Sequence, residues 1–249
     1  MSLLLHQFRA EQKLFWRSRE LAFFTFLLPI VFYLILASAY GDEDIEGADG
    51  YLYLLSGMIG YGAAATTFAG LALLLVIRRE SGVLKRLRAT PLPGWTYIVA
   101  VLGSIVFVFF LEAIALVALG RVAFEVSLPE HLISLAAALA LGAAAFAALG
   151  VALTAFIKSS EGSSAVVNAI YLPLAFISGS FFSSDAFPRA LRAVAEVLPL
   201  VHFIRLVRDV MVYGDRIWDH PGAVAIVAAW GVAGTIVALR GFRWEPRER

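Results

Sequence analysis

Long apolar runs separated by short polar ones set the organisation of this chain. Six runs, roughly residues 21–40, 51–77, 95–120, 131–157, 163–182 and 221–239, are apolar over a length that crosses a bilayer. A hydrocarbon core of about 30 Å takes about 20 helical residues. The second, third and fourth runs exceed that and have length to spare for tilt. The polar segments between them carry helical patterns of their own. In residues 1–20, Leu4, Phe8 and Phe15 fall near one face and Arg9, Lys13 and Arg17 around the other, which predicts a helix lying in the inner interface. In residues 183–214, Phe187, Leu191, Val194 and Leu198 recur at helical spacing up to Pro199, and Leu200, Phe203, Ile204, Val207 and Val210 continue beyond it. Ser184 or Asp185 is placed to cap the first of these helices. At about 15 residues, or about 22 Å each, neither crosses a bilayer. They predict a re-entrant pair on the outer side.

Composition agrees with the pattern. Of 249 residues, 61% are hydrophobic and 16% charged, against about 25% charged in a soluble domain. Mean hydropathy is +0.83. The expected fold is an all-α integral membrane protein with six transmembrane helices, forming a single domain over residues 1–249. Net charge is +1, which gives no reason to expect a nucleic-acid partner; the bilayer is the expected surroundings. With both termini inside, the cytoplasmic segments hold 14 of the 20 cations, and the first outer loop, "GDEDIEGADG", holds five acids and none. That distribution places both termini in the cytoplasm of a multi-pass inner-membrane protein.

Enzyme chemistry finds no footing. The chain has no cysteine, and His6, His131, His202 and His220 are too scattered for a metal motif. Lys13, Lys85 and Lys158 do not follow glycine, so no phosphate-binding loop is present. No nucleophile and base form a persuasive pair. Within the spans, Glu112 stands out, because a carboxylate there must face protein or water. It reads equally as a path or gate residue, a proton carrier or a hydrogen-bonded packing group. Asn168 is a weaker candidate of the same kind. Alanine and glycine in "LGAAAFAALG" of the fourth run read as close helix packing. In the outer pair, Arg205 and Asp209 stand one helical turn apart with Arg208 beside them.

The basic stretch "RRESGVLKRLRATPLPGW", residues 78–95, carries five cations and one acid in its first eleven residues. As a helix over residues 80–89 it gathers Val83, Leu84 and Leu87 on one side, with Lys85, Arg86 and Arg88 around the rest. Such a helix either lies on anionic lipid or docks its ridge in a groove of a cytoplasmic partner. The stretch resembles the cytoplasmic loop after the second span in membrane subunits of type-2 ABC exporters, closest to the daunorubicin-resistance type. The matching positions are Arg79, Glu80, Gly82, Leu84, Lys85, Arg86, Thr90, Pro91 and Leu92. The family's closing motif is matched by Ser178, Gly179, Pro188 and Pro199, with Ser183 where a proline is often found.

The resemblance implies a six-helix fold in a membrane dimer, paired with itself or with a second permease. It implies two copies of a separate ATP-binding cassette subunit, which would hold ATP and Mg, leaving no cofactor on this chain. Residues 78–94 would then form the coupling loop, with Arg79, Glu80, Gly82, Val83, Leu84, Lys85, Arg86, Leu87, Thr90 and Pro91 meeting the ATPase. Glu112, Asn168, Ser178, Gly179, Arg205 and Asp209 would be candidates for the translocation path or gate. The implied function is export of hydrophobic or amphipathic molecules (a drug or antibiotic, a lipid or a lipid-linked glycan) by a non-catalytic subunit. The alternative is a proton-coupled secondary transporter that uses Glu112.

Overall fold

The computed structural model describes residues 3–157, 159–181 and 187–245 and is almost wholly helical. Lys158, Phe182, Ser183, Ser184 and Asp185, on which parts of the sequence reading fall, lie outside the described residues. Helix α1 (Leu3–Arg17) is the amphipathic helix foreseen at the N-terminus. It lies along α6 (Gly94–Phe124): the Gln12 side chain donates to the Ser104 carbonyl at 3.0 Å and to its hydroxyl at 2.8 Å, and Phe8 meets Phe107 edge-on. Only Ser18 separates α1 from α2 (Arg19–Tyr40), whose buried residues reduce to Ala22, Pro29, Tyr33 and Ala37.

The acidic loop after α2 is not featureless. Strands β1 (Asp44–Ile45) and β2 (Ala48–Asp49) pair antiparallel. Both residues of the connecting turn have positive φ, 56° at Glu46 and 77° at Gly47. Two such residues in a row make the turn that matches the twist of a two-residue hairpin. Asp49 then caps the next helix, its carboxylate accepting from the Leu52 amide at 3.1 Å.

That helix is the axis of the molecule. It runs as α3 (Gly50–Gly62), an eight-residue π-helical segment (Ala63–Gly70) and α4 (Leu71–Glu80). Helix α3 is buried on all sides except at Tyr51, as a helix apolar all round must be. Around it pack α2, α6, α7 (Leu132–Leu153) and α10 (Pro199–Val212). The small residues of α7 serve that packing. A Cβ at Gly142 would lie 2.2 Å from the Phe203 ring, and one at Gly150 would lie 2.7 Å from the Phe68 carbonyl in the π segment. Helix α11 (Pro221–Gly241) packs on α7 and α10 and presents most of its remaining surface outward.

Among the described residues, five helices are long and apolar enough to cross a membrane: α2, the composite Gly50–Glu80, α6, α7 and α11. The fifth expected run is α8 (Ser160–Ile177), 18 residues long. Its first half carries Ser160, Glu161, Ser163, Ser164 and Asn168, which lowers its apolar character.

Two expected elements change shape. The basic helix is not one helix over 80–89. Helix α4 ends at Glu80, Gly82 turns the chain with φ 74°, and α5 covers only Val83–Arg88. A left-handed residue just past a helix end is a place for glycine. In the outer pair, α9 (Arg189–Ala195) has seven residues against 14 in α10. Pro199 drives Leu198 into an extended conformation, ψ 137°, so the first helix stops short.

Candidate functional site

The C-terminal end of the axial helix is held by two arginines that are consecutive in sequence and point apart. Arg79 is 2% exposed. Its guanidinium donates to the Thr154 carbonyl at 2.9 Å and the Ile157 carbonyl at 2.6 Å, and its Nε donates to Glu80 at 3.0 Å. It therefore caps the C-terminal end of α7, where carbonyls lack helical partners. Arg78 reaches the other way, donating to Glu11 of α1 and to the Tyr97 hydroxyl of α6, both at 2.7 Å. Together they tie α1, α4, α6 and α7 into one joint directly before α5.

Helix α5 rests on this joint by its apolar side. Leu84 is 0% exposed and sits in a cluster with Leu71, Leu75, Tyr97, Val101, Ala147 and Val151. Val83 and Leu87 are half-buried, whereas Lys85, Arg86, Arg88, Ala89, Thr90 and Pro91 are exposed. Of the ridge expected at a partner's groove, Leu84 is covered by the chain's own helices, while Val83 and Leu87 stay half-buried. Arg79 and Glu80, expected at the partner contact, are consumed in the joint. The Thr90 hydroxyl closes α5 by donating to the Leu87 carbonyl at 2.7 Å. The outward surface is thus cationic and polar.

In the middle of the axial helix, Glu112 of α6 is 1% exposed and faces the π segment. Its Oε2 accepts from the Thr66 hydroxyl at 2.7 Å. Its Oε1 has no hydrogen-bond partner among the described residues. That oxygen occupies the space a side chain on residue 62 would take, for a Cβ on Gly62 would lie 2.3 Å from it. A π segment, a carboxylate and a glycine are thus brought together, and π-helical turns gather at functional positions. Asn168 is not part of this group. It is exposed on α8 and donates to Ser164 at 3.2 Å.

The N-terminal end of the axial helix is organised by Arg208, which the sequence showed only as a flank to its neighbours. Arg208 is 8% exposed. Its guanidinium carbon lies 3.4 Å from the centre of the Tyr53 ring, its Nε donates to Ser56 at 3.2 Å, and its Nη2 donates to the Gly179 carbonyl at 3.2 Å. Glu46 of the hairpin turn stands 3.9 Å away. Gly179 has φ 78°, and the Ser178 hydroxyl donates back to Ala175 at 2.9 Å, so the Ser-Gly pair shapes the end of α8. Arg205 and Asp209, one turn apart on α10, do not pair with each other. Arg205 makes a two-pronged pair with Glu196 across the α9–α10 hairpin, one arm at 2.8 Å. This hydrogen bonding holds the Glu196 carboxyl below its ordinary range. Asp209 instead faces His220, 3.4 Å away, which also meets Asp215 at 3.0 Å. The path candidates therefore separate into a group at the middle of the axial helix, an exposed α8 residue and a cluster near the start of that helix. The only signals for Arg208 were its charge and its place on the buried stripe of α10.

Comparisons with known proteins give a family and three relatives. The sequence model of the ABC-2 type transporter family matches residues 3–212. YvfS of Bacillus subtilis (strain 168), a protein named as a transport permease, is 22% identical over 204 residues, covering 82% of this chain and 83% of its own length. Nodulation protein J of Rhizobium leguminosarum bv. trifolii is 35% identical over 91 residues, 35% of this chain and 34% of that protein. Nodulation protein J of Rhizobium leguminosarum bv. viciae is 37% identical over 67 residues, 27% of this chain and 26% of that protein.

Proposed function

This chain belongs to the ABC-2 type transporter family, and we propose that it works as the membrane half of an exporter driven by a separate ATP-binding cassette subunit. In this reading two permeases, identical or different, form a membrane dimer over two cassette subunits that hold ATP and Mg. Both termini lie in the cytoplasm and α8 is the sixth span; its 18 residues cover about 27 Å. The transported molecule is hydrophobic or amphipathic: a drug, a lipid or a lipid-linked glycan.

One observation carries the reading most. Helix α5 is seated on the spans through Leu84 and turns Lys85, Arg86 and Arg88 outward. A helix that only followed the lipid surface would turn its apolar side to lipid; this one seats Leu84, the centre of that side, on protein. Lys85 and Arg86 are then placed to meet acidic or polar groups on a rigid partner, while Arg88 stands 4.0 Å from Glu245. They act as the coupling contact, and Arg78 and Arg79 pass the movement to α1 and α7. Ion pairs at such a contact supply orientation and specificity more than raw affinity.

Within the membrane, Glu112 acts on the gate through Thr66 and the π segment. The outer cluster at Arg208 closes the far end of the path. Co-purification with a candidate cassette subunit, followed by ATPase measurement with and without amphipathic compounds, tests the assignment. Stable capture and stimulated hydrolysis are expected. Transport by the permease alone, driven by a proton gradient and abolished in Glu112→Gln, would establish the secondary-transporter alternative instead.

A further inference from the structure

The lower half of α2 stands away from the axial helix and leaves a cleft of about 840 Å³. The cleft is bounded chiefly by α1, α2, the π segment, α4 and α6, with Tyr61 of α3, Tyr171 of α8 and residues of α5 completing it, and it lies inside one chain. Its character changes along its length. At the cytoplasmic end are Gln7, Glu11 and Arg78; along the body are Phe24, Leu28, Leu73, Leu74 and Ile105; at the deep end is Thr66, the partner of Glu112. From Arg78 to Thr66 the helix rises about 18 Å. A long apolar body with a polar mouth is the shape of a site for an amphiphile. The mouth carries one acid and one cation, paired at 2.7 Å, and the amide of Gln7. Its complement is a head with no net charge: zwitterionic, or uncharged and hydrogen-bonding.

The mouth of this cleft is the informative part. Val83 and Leu87 of α5 line it, beside Arg78 and Tyr97. A molecule in the cleft would therefore touch the back of the helix whose front carries Lys85, Arg86 and Arg88.

We propose that the cleft behind α2 binds an amphiphile of no net charge and that α5 senses its presence directly through Val83 and Leu87. This builds on the reading of α5 as the coupling helix. It adds a ligand contact within one chain, in place of sensing through distant rearrangement of the spans. Arg78 serves both ends of the device, because it rims the cleft and holds α1 to α4 and α6.

The test uses the purified permease in lipid nanodiscs and needs no ATPase. The probe is lysophosphatidylcholine carrying a diazirine on its acyl chain. The natural chain has no cysteine, so Lys85→Cys takes a single spin label on the exposed side of α5. The expected results are crosslinks to the peptide holding Leu73 and Leu74 and a change in the label's spectrum on adding the probe. Leu28→Trp fills the cleft from the exposed helix α2 and should lower crosslinking about tenfold or more and abolish the spectral change. Leu87→Ala should keep the crosslink and lose the spectral change. Lysophosphatidylglycerol, with its net charge, should compete less well than unlabelled lysophosphatidylcholine. Crosslinks spread over the lipid-facing helices, or cleft crosslinks with an unmoved label in the parent chain, would overturn the proposal. Failure of cassette capture would instead strike the exporter reading, since neither measurement depends on it. ATP turnover in a complex then separates the two sources of ligand: a transported molecule is chased from the cleft, and a resident bilayer lipid stays.

Discussion

Arg79 and Arg86 carry the same side chain and lie within the same short basic stretch, yet they do opposite work. Arg79 is 2% exposed, with its donors on the carbonyls of Thr154 and Ile157 and on Glu80. Arg86 is exposed on the outward face of α5. One is part of the fold, and its charge is tolerable only because its donors are matched. The other is cheap to change for the fold and is available to a partner. The turn at Gly82 separates the two roles. It ends the helix whose cations face inward and starts the helix whose cations face out. A count of positive charge treats all five cations alike; burial divides them.

This contrast is broken most severely at the buried side. Arg79→Ala leaves the end of α7 uncapped and Glu80 without its partner. It should lower stability by about 3–5 kcal/mol, the scale for breaking a buried charge arrangement. Thermal unfolding of the purified permease in detergent should show this as a large drop in midpoint or as loss of folded protein. Leu84→Ala opens a hole under α5 and should cost about 2–5 kcal/mol. The same measurement should show it, with the loss concentrated in protease sensitivity of residues 78–94. At the opposite end of the axial helix, Tyr53→Leu removes the ring beneath Arg208. It should cost about 2 kcal/mol, the value for a desolvated cation on an aromatic face. An unchanged midpoint would show that Ser56 and Gly179 hold Arg208 unaided.

Much of this architecture is legible in the sequence, because run length and charge are properties of one dimension. The apolar runs mark α2, the composite helix, α6, α7 and α11, and the amphipathic pattern marks α1. What covers an apolar face is a property of three dimensions. The ridge at Val83, Leu84 and Leu87 was plain, but its seat against Tyr97, Val101 and Ala147 depends on helices far along the chain. The pairing of Arg205 fails for the same reason. Asp209 is one turn away on the helix, but the turn before Pro199 brings Glu196 within reach, and two arms hold better than one. The hairpin at Glu46 and Gly47 was hidden inside a run of acids that reads as a loop.

Smaller effects refine the comparison at the outer surface. The Glu196 carboxyl is held below its unfolded value of about 4.3 by its hydrogen bonds to Arg205. The pair's contribution is therefore complete above that value and is lost as pH falls through the lower, folded one. Because the pair is exposed, the loss is about 0–1 kcal/mol. Glu196→Gln should leave stability at neutral pH nearly unchanged and should flatten the acid limb of a midpoint-against-pH curve slightly. A loss of several kcal/mol would mean that the α9–α10 hairpin depends on this pair for its structure.

The smallest effect on folding belongs to Arg86→Glu, where a surface change is worth within about ±0.5 kcal/mol. It is also where the central claim is most exposed. Capture of the cassette ATPase by Arg86→Glu permease, measured beside its thermal midpoint, tests directly whether the outward face of α5 is the coupling contact. The account predicts a midpoint equal to the parent's and a capture reduced to background. Parent-level capture, with ATP hydrolysis still stimulated by transported compounds, would contradict it.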